Sequence, residues 1–134
     1  MQITFPGGLK VQAQHKGFTI MTDQPTYAGG EGSAPAPFDL FLASMATCVG
    51  VYVKSFCEQR SIPTKDIVIN QHMEANPQTR MISKIIFEMH LPEEFPKKYR
   101  EALIHAANNC AVKRHLMNPP EFNYNVKIGD EIYE

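Results

Sequence analysis

The chain opens on short runs of alternating apolar and polar residues. Thr4-Phe5, Lys10 to Gln14 and Phe18 to Thr22 are separated by the pairs Gly7-Gly8 and Lys16-Gly17. Glycine-bearing pairs between such runs turn one strand into the next, and the last two runs read as a hairpin with Phe18, Ile20 and Thr22 on one face. From Gln24 to Pro37 the periodicity stops. Pro25, Gly29-Gly30, Gly32, Pro35 and Pro37 punctuate this stretch, which predicts a loop.

Pro37 fits the first position of a helix, where its missing N–H costs nothing. Asp39 falls in the first turn, where a negative charge favours the helix dipole. From Phe38 to Phe56 apolar residues occur on every face, so the pattern predicts a helix buried on most sides. A chain this small seldom surrounds such a helix by itself. A homodimer, with sheet on one side of the helix and a second copy on the other, is the expected solution. Ser61 to Thr64 ends the helix. Ile67 to Ala75 and Met81 to Leu91 then alternate with period two around Asn76-Pro77-Gln78, the pattern of a long hairpin.

Phe95, Tyr99, Ala102, Leu103 and Ala106 recur at helical spacing, and Asn108-Asn109 stops that helix. A short helix is expected after Cys110, broken by Pro119-Pro120. Phe122, Tyr124, Val126 and Ile128 alternate against Asn123, Asn125 and Lys127 as a final strand. The order of elements predicts one α+β domain over residues 1–134 with antiparallel sheets.

Composition narrows the function classes. The 134 residues are 43% hydrophobic and 20% charged, with a net charge of −1 and both signs scattered. That argues against nucleic acid or an anionic membrane as partner. The N-terminus has neither a basic start nor an apolar core of the signal-peptide kind. The longest apolar run, Leu40 to Val53, reads as too short for a bilayer, which needs about 20 residues. Three cysteines are unlike a secreted disulfide framework, so a reducing cytoplasm is expected, where any disulfide would be transient.

The candidate chemistry lies in those cysteines. Cys110 follows Asn109, a good N-cap, which puts its sulfur at the positive end of a short helix with Lys113 and Arg114 one turn on. Both features favour a thiolate; a small hydrophobe beside Ala111 and Val112 is an equal reading. Cys48, inside the apolar helix, fits core filling better on local sequence alone. Cys57 is nine residues further along, on the opposite helix face, and reads as inert. His15, His72, His90, His105 and His115 are dispersed, with no metal-ligand spacing.

The stretch from Gly29-Gly30-Glu31-Gly32 through Pro37-Phe38-Asp39-Leu40-Phe41-Leu42-Ala43-Ser44-Met45 to Cys48, with Asn109-Cys110-Ala111-Val112-Lys113 further on, resembles the OsmC/Ohr family of osmotically induced and organic-hydroperoxide-resistance proteins. The resemblance implies two intertwined chains with the central helices between sheets and two sites at the interface. It implies a thiol peroxidase for organic hydroperoxides, with Cys48 attacking the O–O bond and Cys110 condensing with the resulting sulfenic acid. It implies no bound cofactor, and re-reduction by an external small or lipoyl-linked dithiol. The family's acid at the helix start corresponds to Asp39. The family's N-terminal arginine has no counterpart before Arg60, which leaves Lys10, Lys16 and Glu31 as candidate supporting groups, and the usual proline after the second cysteine is Ala111. A non-enzymatic, dimeric redox-sensing or small-molecule-binding module is the main alternative, and a structural protein with core cysteines a third.

Overall fold

The computed structural model describes residues 1–133. Strands β1 (Gln2–Gly7), β2 (Lys10–His15) and β3 (Phe18–Thr22) form an antiparallel meander in that order. His15 pairs with Phe18 across a two-residue turn in which Lys16 and Gly17 take φ of 49° and 82°. Positive φ at both turn positions matches the right-handed twist of the flanking strands. Lys16 therefore serves the turn.

The loop after β3 is held by one buried side chain. Asp23, 1% exposed, accepts N–H bonds from Gln24, Glu31 and Ser33 and a hydroxyl bond from Ser33. Donors from both ends of the loop converge on a single carboxylate, so the loop is fixed although it has no regular ladder. Gly30 lies where the loop crosses its own start: a Cβ there would stand 1.9 Å from the Gln24 carbonyl oxygen.

Helix α1 (Pro37–Glu58) follows, with Pro37 at its first position and the Asp39 carboxylate accepting the Ala36 N–H at 3.0 Å. Strands β4 (Val68–Ala75) and β5 (Ile82–His90) pair antiparallel from Val68–His90 to Ala75–Ile82. A 3-10 turn at Lys97–Tyr99 leads into α2 (Arg100–Ala107), and α3 (Ala111–Met117) comes directly after. The chain closes with β6 (Val126–Ile128) and β7 (Glu131–Tyr133).

The core is one stripe of α1, with Val49, Val53, Phe56 and Cys57 packed on Phe95, Leu103, Ala107 and Cys110; Ile69, Phe87 and Met89 of the β4–β5 hairpin flank it. Spacing of three and four residues places the α1 members on a single helix face. Met45, one turn earlier, is also buried. Elsewhere on α1, Phe38 and Val51 are 56% and 62% exposed. The expectation of burial on most sides is thus met by one stripe within a single chain, the other faces staying open among the described residues. At 22 residues, α1 is also longer than the apolar run suggested, long and apolar enough by length and composition to cross a membrane.

The final strand differs most from its pattern. Phe122 to Asn125 are not in a strand; only Val126–Ile128 pairs, with β7, across the Gly129-Asp130 turn. A strand is defined by its ladder, and among the described residues the partner here is three residues long. Phe122, Tyr124, Val126 and Ile128 are left exposed, as are Phe5 and Phe18 on the first sheet.

Candidate functional site

Cys48 sits at the edge of the buried α1 stripe, between Met45 and Val49, and is half-buried. Cys110 is 1% exposed and occupies the turn between α2 and α3. The packing of α2 and α3 on α1 makes the two thiols neighbours within hydrogen-bonding reach. Both are free, close but not at bonding distance. Sixty-one residues of intervening chain are bridged by the core, through Leu103 and Ala107 against Val49 and Val53.

The start of α3 sets the electrostatics. Cys110 itself, not Asn109, is the N-cap: its sulfur accepts the Lys113 N–H at 3.4 Å. Asn109 instead donates from its side chain to the His105 carbonyl, closing α2. Burial pushes the Cys48 thiol up, but the Val112 N–H, the Cys110 thiol, the Ala111 N–H and the Arg114 charge outweigh it and bring it below its ordinary 9.0. Those N–H groups are free to do so because the first turn of a helix leaves them without intrahelical partners.

Cys110 moves the other way. Burial raises it, the Lys113 N–H opposes, and the hydrogen bond and charge of Cys48 raise it further. The expectation that the helix start and its basic residues favour a thiolate at Cys110 is therefore corrected. The helix start serves both sulfurs, but Cys48 is the more exposed and takes the charge. The pair consists of a thiolate-prone sulfur beside a protonated one. Such a pair can attack an electrophile with the first and close a disulfide with the second. Cys57, fully buried, is pushed up by burial, against the charge of Arg60.

The other candidates stand elsewhere in the chain. Lys10 pairs with Glu31 at 2.5 Å, joining β2 to the loop, and Asp39 holds the Ala36 N–H. Lys10, Glu31 and Asp39 are engaged in these bonds, and among the described residues Arg114 is the charged side chain that leads in lowering Cys48. Sequence reasoning had Arg114 in view but attached to the other cysteine, and missed the amides of Ala111 and Val112. The absence of a proline at position 111 was the available signal, since proline would have carried no N–H there. Among the described residues no group of three or more His, Cys, Asp or Glu could hold a metal ion.

Beside the pair lies a cavity of about 600 Å³ between α1, β5, α2 and α3. Its wall is mainly apolar, including Met45, Val49, Phe87 and Leu103, with Cys110 opening into it and Arg100 and Lys113 as its basic members.

Residues 30–125 match the family model described as OsmC-like protein. Among solved structures, one from Psychrobacter arcticus 273-4, described as an osmotic stress induced and detoxification response protein, is similar at 23% identity and a TM-score of 0.70, covering 84% of each chain. Another, described as an organic hydroperoxide resistance protein OsmC from Legionella pneumophila, is 20% identical with a TM-score of 0.54, covering 86% of this chain and 85% of that one. No curated protein matches the sequence. These structures share the antiparallel sheets and helices described above, and with the family model spanning well over half its length, the chain belongs to the OsmC-like family.

Proposed function

We propose that the protein is a thiol-dependent peroxidase for organic hydroperoxides, with Cys48 as the attacking residue and Cys110 as the resolving one. The observation that carries this is the opposed bias of two adjacent sulfurs, Cys48 lowered and Cys110 raised. The Cys48 thiolate attacks the outer oxygen of the hydroperoxide. The S–O bond forms, the O–O bond breaks, and the alkoxide leaves and takes a proton to become the alcohol. The Cys110 sulfur then attacks the sulfenic sulfur; the S–S bond forms and the hydroxyl leaves as water with the Cys110 proton. An external dithiol returns both thiols. The similarity to the Legionella protein supports hydroperoxides as the substrate class.

The test is consumption of a bulky organic hydroperoxide with a dithiol present. Cys48→Ser abolishes it, and an unchanged rate removes Cys48 from the chemistry. Cys110→Ser retains the first oxidation but accumulates sulfenic or overoxidised Cys48, seen by mass spectrometry.

The working form in this reading is a cytoplasmic homodimer. Uncovered apolar surface on α1, the first sheet and the segment around Phe122 and Tyr124 supports it, since monomeric proteins seldom expose so much. Light scattering at micromolar concentration should give twice the chain mass; a monomer counts against it. A sensor that forms the disulfide without turning over is the second reading. It is favoured by the sequence having no arginine before Arg60, so that the charge that leads in lowering Cys48 is Arg114 of α3. One equivalent of peroxide separates the two: a sensor stays oxidised with dithiol present, whereas the enzyme cycles.

A further inference from the structure

The apolar wall of the cavity carries four polar side chains, Arg100, Asn108, Cys110 and Lys113. Three of them are engaged with one another: the Lys113 Nζ donates to the Asn108 Oδ1 at 2.7 Å, and the Cys110 sulfur accepts the Lys113 N–H. Arg100 is the fourth. Among the described residues its guanidinium has no hydrogen bond or ion pair, although Glu93 shares an adjoining groove with it. No Asp or Glu is in the cavity wall.

Arg100 also heads a stripe. Arg100, Leu103, Ile104 and Ala107 all line the cavity, and their spacing of three and four places them on one face of α2. At 1.5 Å per residue the stripe is about 10 Å long. Arg100 and Ile104 are exposed, whereas Leu103, Ala107 and then Cys110 are buried. The stripe therefore runs from an open, cationic rim to a closed, apolar end.

We propose that the cavity binds a free medium-chain carboxylate, with the head on Arg100 and the alkyl tail along α2 toward Cys110. The site is independent of the peroxidase reading, since a saturated acid carries no O–O bond. A carboxylate matches the guanidinium fork with two parallel hydrogen bonds. Nothing further along the wall asks for a polar ligand atom, because Asn108, Cys110 and Lys113 already have partners. A second charge or an amide on the tail would be buried unpaired, which excludes peptides and sugars. The volume of about 600 Å³ is that of a pocket for one small molecule, not for a two-chain lipid. Because Cys110 ends the stripe, a bound tail lies against that thiol, and ligand site and cysteine pair share one wall.

The test is titration calorimetry on the reduced full chain with octanoate, decanoate and 1-decanol, the last as the uncharged counterpart. Decanoate should bind about fivefold more tightly than decanol, the upper end for a single exposed ion pair. It should also bind more tightly than octanoate, by roughly fourfold for each methylene that enters. Arg100→Gln should remove the preference for decanoate over decanol and leave decanol binding as it was. Lys98→Gln, which takes away a neighbouring cation outside the wall, should keep the preference. Ile104→Trp, which crowds the rim from a position 57% exposed, should weaken both ligands. Equal affinity for decanoate and decanol overturns the head site, as does an Arg100→Gln protein that keeps the preference or a Lys98→Gln protein that loses it. Parent-like binding of both ligands in Ile104→Trp overturns the tail path. If the parent binds neither, the cavity is filled by something else, a second copy included, and the proposal fails. It fails too if phosphatidylglycerol vesicles bind the protein and decanoate does not, since Arg100 would then belong to a lipid surface.

Discussion

Replacing Ala111 by proline removes one N–H and little else. Ala111 is the first residue of α3, the position at which proline's fixed φ fits a helix. The preceding Cys110 has ψ of 120°, within the extended range that a residue before proline requires. The substitution should therefore fold, and the reduced freedom of the unfolded chain should stabilise it by about 0.4–1 kcal/mol. What it takes away is a donor to the Cys48 sulfur. A hydrogen bond to a charged group is worth about 1.5–3 kcal/mol. Cys48 is half-buried and sulfur is a weak acceptor, so the lower end, about 1.5 kcal/mol, applies. At 1.36 kcal/mol per tenfold change, this leaves roughly ten times less thiolate at a pH where the thiol is mostly protonated.

The sign follows from the direction of the shift. Cys48 is lowered from 9.0, so its thiolate fraction, and with it the rate of attack on hydroperoxide, climbs with pH and levels off below the free-thiol value. In Ala111→Pro the climb moves to higher pH while the plateau stays. The assay is the single-turnover oxidation rate of Cys48 across that pH range, alongside the melting temperature. Ala111→Ser, which keeps the N–H, should follow the parent profile. A proline variant with raised melting temperature and an unmoved pH profile would refute the reasoning, because the amide would then contribute nothing to the thiolate.

The remaining predictions concern what holds the site. Leu103→Ala removes three carbons from a side chain 1% exposed and should cost about 3 kcal/mol in urea unfolding; one flank already faces the cavity, which keeps the loss in the lower part of the usual range. A loss under about 1 kcal/mol would mean that this position is not packed as described. Asp23 is lowered from 3.8 to about 2, first by the Ser33 N–H and then its hydroxyl, against burial and with the N–H groups of Gln24 and Glu31. Its contribution to stability is complete above 3.8 and is lost as pH falls through about 2. Thermal melts over that window should show a smaller acid loss in Ser33→Ala, and an identical loss would remove the hydroxyl from the account. Gly30→Ala forces a methyl into the Gln24 carbonyl and should cost about 3 kcal/mol, the upper end for overpacking, with faster proteolysis of the loop; a parent-like melt would contradict the close approach.

Local chemistry made much of this fold readable. Lys16-Gly17 announced its own turn, Pro37 its helix start, and the β4–β5 hairpin kept one register over seven residue pairs before shifting at Ala75. What local pattern did not reveal was coverage. The sequence from Phe122 to Ile128 alternates as cleanly as any strand, yet alternation records only that one face is meant to be buried, not which chain buries it. The same holds for Phe38 and Val51 on α1. At the site, Cys48 and Cys110 were legible as a pair only through the family resemblance, because no spacing connects residues brought together by packing. The acting amides were not legible from side-chain chemistry at all, since every non-proline residue carries one.

Two departures from the family pattern bear on the same charge. The chain lacks the N-terminal arginine, and it has Ala111 where proline is usual. The second change supplies a donor to Cys48, and with Val112 and Arg114 the stabilisation of that sulfur comes from α3. Since Cys110 caps α3, stabiliser and resolving thiol sit on one short element. In the peroxidase reading this couples the two steps. While Cys48 is a thiolate, its charge holds the start of α3 through the amides. Oxidation to the sulfenic acid removes that charge and with it most of the hold.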